Sequence, residues 1–99
     1  MEELKRSPAK NRKISEILED DKRVRILCSV VKAAEKELVV DDGTGQIKVV
    51  FDDPELVKKA LEYKKIRVFG KPFAGMIKGE IVQDMRKVDV NLYKKVYNL

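Results

Sequence analysis

The sequence predicts a small, mainly β domain whose strands close into a barrel, and three observations lead to this fold class. Apolar and polar residues alternate with a period of two over 23–32 and again over 46–51, which is typical of strands with one buried face. Between the third and fourth strand segments, apolar residues recur at helical spacing over 54–64. The 99 residues are enough for one small domain with a thin core.

Five segments have the composition of strands. The first three are "RVRILCSVVK", "LVVDD" and "GQIKVVF". The fourth, "KIRVFGKPF", is expected to bend or end near Gly70 and Pro72, because proline is rare inside a sheet. A loop or hairpin tip over 74–79 is expected before the last strand, "EIVQDMRKVDV". The alternation places Gln46, Lys48 and Val50 outside the barrel, and it places these residues in the core: Val24, Ile26, Cys28, Val30, Ile47, Val49 and Phe51.

The helix over 54–64 has a clear start. Asp53 can cap it, Pro54 suits the first helical position, and Glu55 favours the positive end of the helix dipole. Its apolar stripe consists of Leu56, Val57, Ala60 and Leu61.

Two further helical patterns lie near the chain ends. Ile14, Ile17 and Leu18 predict one or two helical turns anchored by those side chains. The segment "NLYKKVYNL" reads as a helix, with Leu92, Val96 and Leu99 on one stripe and two exposed tyrosines, Tyr93 and Tyr97, beside it.

The order of elements narrows the fold. Three strands, a helix, two strands and a last helix match a five-stranded Greek-key barrel of the OB type, in which a helix between strands 3 and 4 closes the bottom. We therefore predict a flexible arm over 1–12, an OB-fold domain over 13–88 and a C-terminal assembly helix over 89–99.

Composition favours a binding protein over an enzyme. The net charge is +5, which is compatible with a nucleic-acid partner. The sequence has no histidine, and its one cysteine, Cys28, stands in an apolar strand, where an inert thiol is expected. The acidic clusters at 19–21 and 52–53 lie at a helix end and a helix start, where acidic residues are ordinary. We predict no catalytic residues, no metal site and no cofactor.

The chain shows no secretion signal and no apolar run long enough to cross a bilayer. The expectation is a protein with no membrane partner, located in the cytoplasm and associated with the nucleoid.

The glycine-rich stretch "DDGTG" invites a search for a ligand-binding loop. A Walker phosphate loop requires a lysine after the last glycine and a helix beyond it, but Gln46 follows Gly45 and a strand continues. The spaced acidic ligands of an EF-hand are absent as well. The remaining interpretation is a tight hairpin, with positive φ angles at Asp42 and Gly43 and a bulge at Gly45.

The stretch "RVRILCSVVK…LVVDDGTGQIKVVF" resembles the first hairpin of replication protein A OB domains, especially the middle subunit and its archaeal relatives. The lead-in "KRSPAKNRKISEI" and the position of the last helix are similar too. The resemblance implies a protein that binds single-stranded DNA, as an accessory subunit of a replication protein A-like complex in replication or repair.

In that family, DNA lies across the outer face of the second and third strands, and aromatic side chains stack on bases. The third strand lacks outward aromatics here, and Phe73, before the predicted loop, matches the loop aromatic. Phe69 is a second candidate if it faces outward. The candidate lysines and arginines could line a basic groove, or they could belong to an ordinary solvated face of the barrel, and both interpretations stay open. The candidate nucleic-acid-binding residues are Arg25, Lys48, Arg67, Phe69, Lys71, Phe73 and Lys78.

The last helix is too short to be stable alone, so its stripe must pack on something. It can pack on its own barrel. The resemblance implies instead that it joins larger replication protein A-like subunits through Leu92, Tyr93, Val96, Tyr97 and Leu99. Two alternatives stay open: an architectural OB subunit that assembles without touching DNA, and a module that binds RNA, such as a tRNA.

Overall fold

The computed structural model of this chain describes residues 9–87 and 89–97. Their elements follow in chain order: β1 (Lys10–Asn11), a 3₁₀ turn (Ile14–Glu16), β2 (Val24–Ala33), β3 (Glu37–Asp41), β4 (Gln46–Val50), α1 (Pro54–Tyr63), β5 (Lys65–Phe73), β6 (Met76–Asp84) and α2 (Val90–Tyr97).

Strands β2 to β6 form a closed five-stranded barrel. β2 pairs with β3, β3 with β4, β4 with β6, β6 with β5, and β5 again with β2. All these pairs are antiparallel except β4–β6, which is parallel. Helix α1 lies between β4 and β5, the third and fourth strands of the barrel. The predicted OB-type fold is therefore confirmed.

Strand β2 closes the barrel because its two halves pair with different neighbours. Residues 24–29 pair with β5, and residues 29–33 pair with β3. The short β1 pairs in parallel with Val24 and Arg25, where β2 is not paired with β3. The ten residues of β2 thus connect β5 to β3 and complete the barrel.

The barrel interior is an aliphatic core. Its largest fully buried side chains are Ile26, Leu38, Ile66, Ile77, Val24, Val40, Val49 and Val68. The inward faces predicted for the first and third strands are confirmed, with Val30 and Ile47 only partly buried at its margin. Cys28 is buried as expected, with 4% of its surface exposed.

Helix α1 begins as predicted. The backbone N–H of Glu55 donates to Asp53 Oδ1 at 2.9 Å, and Pro54 stands at the first position. Val57 and Ala60 join the core, but Leu61, placed on the apolar stripe by its spacing, is 46% exposed. The buried face of α1 is therefore narrower than the sequence pattern.

The end of the barrel differs from the expectation. Of the two possibilities predicted for 74–79, a loop or a hairpin tip, the structure shows a hairpin tip of two residues, Ala74–Gly75, whose φ angles are +48° and +76°. Residues 76–79 already belong to β6, which ends at Asp84 rather than near residue 90. Gly70 and Pro72 do not end β5, although a bulge follows Phe69.

The sequence pattern does not show that β6 begins at Met76, because Gly79 faces inward and has no side chain. The ring of Phe51 fills that space: a Cβ atom added at Gly79 would lie closer than 3.0 Å to three ring atoms. The apolar alternation of a strand is therefore interrupted at this position, while the packing is continuous.

The N-terminal segment is attached to the barrel from Lys10 onward. β1 pairs with β2, and Arg12 forms two hydrogen bonds with Asp21, from Nε to Oδ2 at 3.1 Å and from the guanidinium to Oδ1 at 2.9 Å. The arm predicted over 1–12 is thus wrong for residues 10–12, and its residues 1–8 lie outside the described part of the chain. Leu18, an expected anchor, is 53% exposed.

Replacing Gly79 with alanine tests the packing against Phe51. We expect Gly79→Ala to lower the free energy of unfolding by about 1–3 kcal/mol, because the Phe51 ring is 4% exposed and has little room to move. Urea unfolding followed by circular dichroism measures the change. Gly45→Ala is the matched control, since a Cβ there meets only Ile14 Cγ2 at an ordinary 3.5 Å. Equal effects of the two substitutions would contradict the packing argument.

A second test concerns the buried carboxylate of Asp21, 6% exposed. The hydrogen bonds from Arg12, and a smaller contribution from the Leu18 N–H, lower the pKa of Asp21. The folded protein therefore binds this proton less readily than the unfolded chain, whose aspartate pKa is about 3.9. The stabilisation is complete above that pKa and is lost as pH falls through the lowered folded-state pKa.

We expect Asp21→Asn to cost about 1.5–3 kcal/mol at pH 7, the usual range for hydrogen bonds to a charged group. The difference from the unsubstituted chain should shrink as the pH approaches 2. Urea unfolding at both pH values measures it. Asp20→Asn, at an exposed neighbouring position, is the control. A stability loss that is the same for both variants would contradict a role of the Arg12–Asp21 pair.

Candidate nucleic-acid interface

The DDGTG loop between β3 and β4 binds the protein's own chain. Asp42 Oδ2 accepts a hydrogen bond from the Ile14 N–H at 2.8 Å, and Thr44 Oγ1 accepts one from the Ser15 N–H at 3.2 Å. These bonds satisfy backbone donors at the start of the 3₁₀ turn, as a helix cap does. The loop therefore holds the N-terminal segment on the barrel.

The loop's own side chains also fix its shape. Asp41 accepts a hydrogen bond from the Gly43 N–H and another from the Gln46 side chain. Both bonds lower the pKa of Asp41, and the bond from Gly43 contributes more. Asp42 accepts from the Thr44 N–H at 2.8 Å. Of the two positive φ angles predicted, Gly43 has one at +89° and Asp42 has none. Residues 42–45 connect the two strands, and the backbone N–H of Asp42 donates to the Gly45 carbonyl at 3.4 Å, so the connection is a tight hairpin as predicted.

Three of the candidate cations form a continuous row on the outside of the barrel. Lys71 on β5 lies directly opposite Lys78 on β6, and Lys78 pairs in turn with Val50 on β4. Lys48 lies two residues before Val50, on the same outer face. We call Lys48, Lys78 and Lys71 the lysine row; the register brings it together across β4, β6 and β5.

Two lysines of the row have carboxylate partners at the surface. Lys78 Nζ lies 2.8 Å from Asp52 Oδ1, and this contact lowers the pKa of Asp52. Lys48 Nζ lies 3.8 Å from Glu37. Both lysine side chains are 45% exposed, so these ion pairs are weak and can exchange for phosphate. Within the described residues Lys71 has no ion pair.

Phe73 lies at the last position of β5, beside the turn, and is 40% exposed. It pairs with Met76 across the hairpin. The two side chains border a shallow groove of about 120 Å³ that Ile17 and Ile47 also line. Phe73 is outward on the same strand face as Lys71, so an exposed ring stands at one end of the lysine row.

The other candidates, Arg25, Arg67 and Phe69, lie further along the outer wall. Arg25 pairs with Phe69 across β2 and β5, so Phe69 does face outward as required. The Arg67 guanidinium lies 5.3 Å from the centroid of the Phe69 ring and 5.7 Å from that of Tyr93. Its Nε donates to Gln83 at 2.7 Å. These side chains already have partners within the protein.

Helix α2 contacts this second group through Tyr93 and Arg67. Asp89 caps it, accepting from the N–H groups of Asn91 and Leu92 at 3.0 and 3.2 Å, a cap not foreseen in the sequence. Tyr93 is 7% exposed, and its hydroxyl donates to Asn11 Oδ1 at 2.9 Å and accepts from Arg67 at 3.4 Å.

The expectation of two exposed tyrosines is therefore wrong for Tyr93, which packs on the barrel because its hydroxyl finds partners there. Leu92 and Val96 are 59% and 65% exposed. The side chain of Tyr97 and residue Leu99 lie outside what the structure describes. The interface role of the stripe stays a prediction.

Among the described residues, no group of three histidine, cysteine or acidic residues could hold a metal ion. Burial raises the pKa of the Cys28 thiol, so the reactive thiolate is disfavoured. None of the described helices is both long and apolar enough to span a membrane.

The closed barrel, its helix α1 and the C-terminal α2 define an OB-fold protein. No protein-family model and no curated protein matches the sequence. Among solved structures, the telomere capping protein Ten1 from S. pombe is similar, with a TM-score of 0.71 and 18% identity over 92% of this chain and 95% of that one. The S. pombe Stn1–Ten1 complex contains a similar chain, with a TM-score of 0.74 and 16% identity over 93% and 90%. At these identities the likeness establishes the fold.

Proposed function

We propose that this protein binds single-stranded DNA as an accessory subunit of an intracellular, replication protein A-like complex of OB-fold proteins. The observation that carries the proposal is the opposition of Lys71 and Lys78 on neighbouring strands. Like charges directly opposite each other in a sheet reduce stability. An anionic ligand lying over both lysines would remove that repulsion, and a phosphate backbone supplies regularly spaced anions.

Single-stranded nucleic acid suits this surface better than a duplex. Proteins that bind single strands combine a basic track for the backbone with aromatic rings for the bases. The lysine row supplies the track, and Phe73 supplies a ring at its end. One ring and three lysines make a modest, salt-sensitive site, which fits a subunit that shares its ligand with partners.

Two features support assembly with a protein partner. Leu92 and Val96 expose apolar side chains on one helix, as interface residues do. The similar structures include a chain taken from a two-protein complex, Stn1–Ten1, and a telomere capping protein. We infer that α2 carries the contact to a larger subunit. These same features favour the second candidate, an architectural OB subunit whose barrel leaves DNA to its partners.

Fluorescence anisotropy of labelled oligo-dT over a salt series tests the lysine row. We expect Lys71→Gln to weaken binding and to reduce the slope of log K against log salt by about 0.7, the value for one phosphate contact on a single strand. Lys59→Gln, the same charge change on the exposed side of α1, is the control. If both variants weaken binding equally, net charge alone explains it; if the protein binds no oligo-dT at low salt, the architectural function stands.

Stacking on Phe73 is a separate prediction. Phe73→Ala should cost about 1–3 kcal/mol of binding free energy, the usual value for one base on an aromatic ring, and should leave the salt slope unchanged. Phe73→Tyr should retain most of the affinity. An alanine variant that binds oligo-dT with full affinity would exclude stacking at this ring.

Competition by tRNA, measured in the same assay, distinguishes DNA from RNA as the ligand. Displacement of oligo-dT at equal nucleotide concentration would favour the RNA-binding alternative.

A further inference from the structure

The buried side chain of Tyr93 attaches helix α2 to the barrel. Among the side chains of α2 that the structure describes, Tyr93 is buried at 7% exposure, whereas Leu92 and Val96 are largely exposed. The helix has eight residues, too few to be stable without packing. Its position on the barrel therefore depends strongly on the contacts that Tyr93 makes.

Tyr93 occupies the place that a nucleobase would take on Arg67. Bases stack on aromatic rings and on the planes of arginine guanidinium groups. The Arg67 guanidinium lies within 6 Å of two ring centroids, Phe69 at 5.3 Å and Tyr93 at 5.7 Å. Phe69 belongs to the barrel wall, whereas Tyr93 belongs to helix α2. The ring of Tyr93 thus occupies the cationic and aromatic surface that Arg67 and Phe69 form.

This surface continues the lysine row. Along β5, outward positions alternate with buried ones, so Arg67, Phe69 and Lys71 follow one another on the same face of one strand. A single strand bound at Lys71 would therefore meet Phe69 and Arg67 next, if α2 were not there. In the structure described here its path ends at Tyr93.

Tyr93 also connects the two ends of the described chain. Its hydroxyl donates to Asn11 on β1, at 2.9 Å, while it accepts from Arg67 at 3.4 Å. Asn11 in turn lies opposite Arg25 on β2. The contacts that hold α2 are consequently polar as well as apolar, and water can replace the polar ones when the helix leaves.

We propose that α2 is an intramolecular competitor of nucleic acid: docked through Tyr93, it blocks a second binding surface formed by Arg67 and Phe69, and its release opens that surface. The proposal rests on the proposed function of the lysine row. Withdrawal of α2 by a partner would thereby couple subunit assembly to tighter binding of a single strand. Apparent affinity for a released state falls in proportion to the fraction of molecules in that state.

Oligo-dT anisotropy on the full chain tests this competition with Tyr93→Ala. If α2 is undocked in about a tenth of the unsubstituted molecules or fewer, Tyr93→Ala should raise the affinity for oligo-dT roughly tenfold or more. In the double variant Tyr93→Ala, Arg67→Ala the gain should disappear. Asn91→Ala, an exposed side chain on the same helix, is the control and should leave the affinity unchanged.

A second variant covers the case in which Tyr93→Ala unfolds the chain. Asn11→Ala removes one partner of the Tyr93 hydroxyl without touching Arg67 or Phe69, and should give a smaller gain in the same direction. Hydrogen exchange provides an independent measure: saturating oligo-dT should speed exchange of the amides over 91–97. Folded variants that bind no more tightly than the unsubstituted chain, or a gain that survives Arg67→Ala, would overturn the proposal. Absence of binding by every variant would refute the proposed function too.

Discussion

The divided pairing of β2 is the constraint on which the rest of the structure depends. Because residues 24–29 pair with β5 and residues 29–33 pair with β3, one strand closes the barrel. Closure fixes which side chains face inward, and strict alternation then fixes those that face solvent. Lys48, Lys71 and Arg67 owe their outward direction to this closure, as the valines and isoleucines owe their burial to it.

The outer wall carries two kinds of cation. Lys48 and Lys78 are half-exposed and weakly paired, and Lys71 is exposed without an ion pair among the described residues, so the row is available to a polyanion. Arg67 lies beside the Phe69 ring and donates to Gln83, and Arg25 lies opposite Phe69 in the sheet. The difference follows from side-chain chemistry, since a planar guanidinium stacks on rings and forms several directed hydrogen bonds, whereas an ammonium group remains well hydrated. Equal charges in the sequence thus have unequal roles on the surface.

The strands with regular alternation and the helix with a clear cap could be predicted from the sequence, because each carries its own local pattern. Strand β6 could not be delimited, because Gly79 is an inward position filled by Phe51, which is distant in sequence. The outward direction of Lys48 followed from period two alone.

The site was harder to predict than the fold. The docking of Tyr93 on Asn11 and Arg67 joins residues from three elements, and no local pattern reports such a contact. Asp42 likewise reaches the Ile14 N–H across 28 positions of the chain. Local patterns predict the direction of a side chain, while its partners depend on which elements the barrel brings together.

The parallel contact between β4 and β6 has a mechanical consequence. It consists of two residue pairs, Val49 with Ile77 and Val50 with Lys78, whereas β5 and β6 pair over eight. This seam is the place where the barrel wall can part with the loss of fewest backbone bonds. The lysine row crosses it, with Lys48 on one side and Lys78 on the other. A nucleic-acid strand bound to both lysines would bridge β4 and β6. Binding would then favour the closed barrel, and the closed barrel would favour binding.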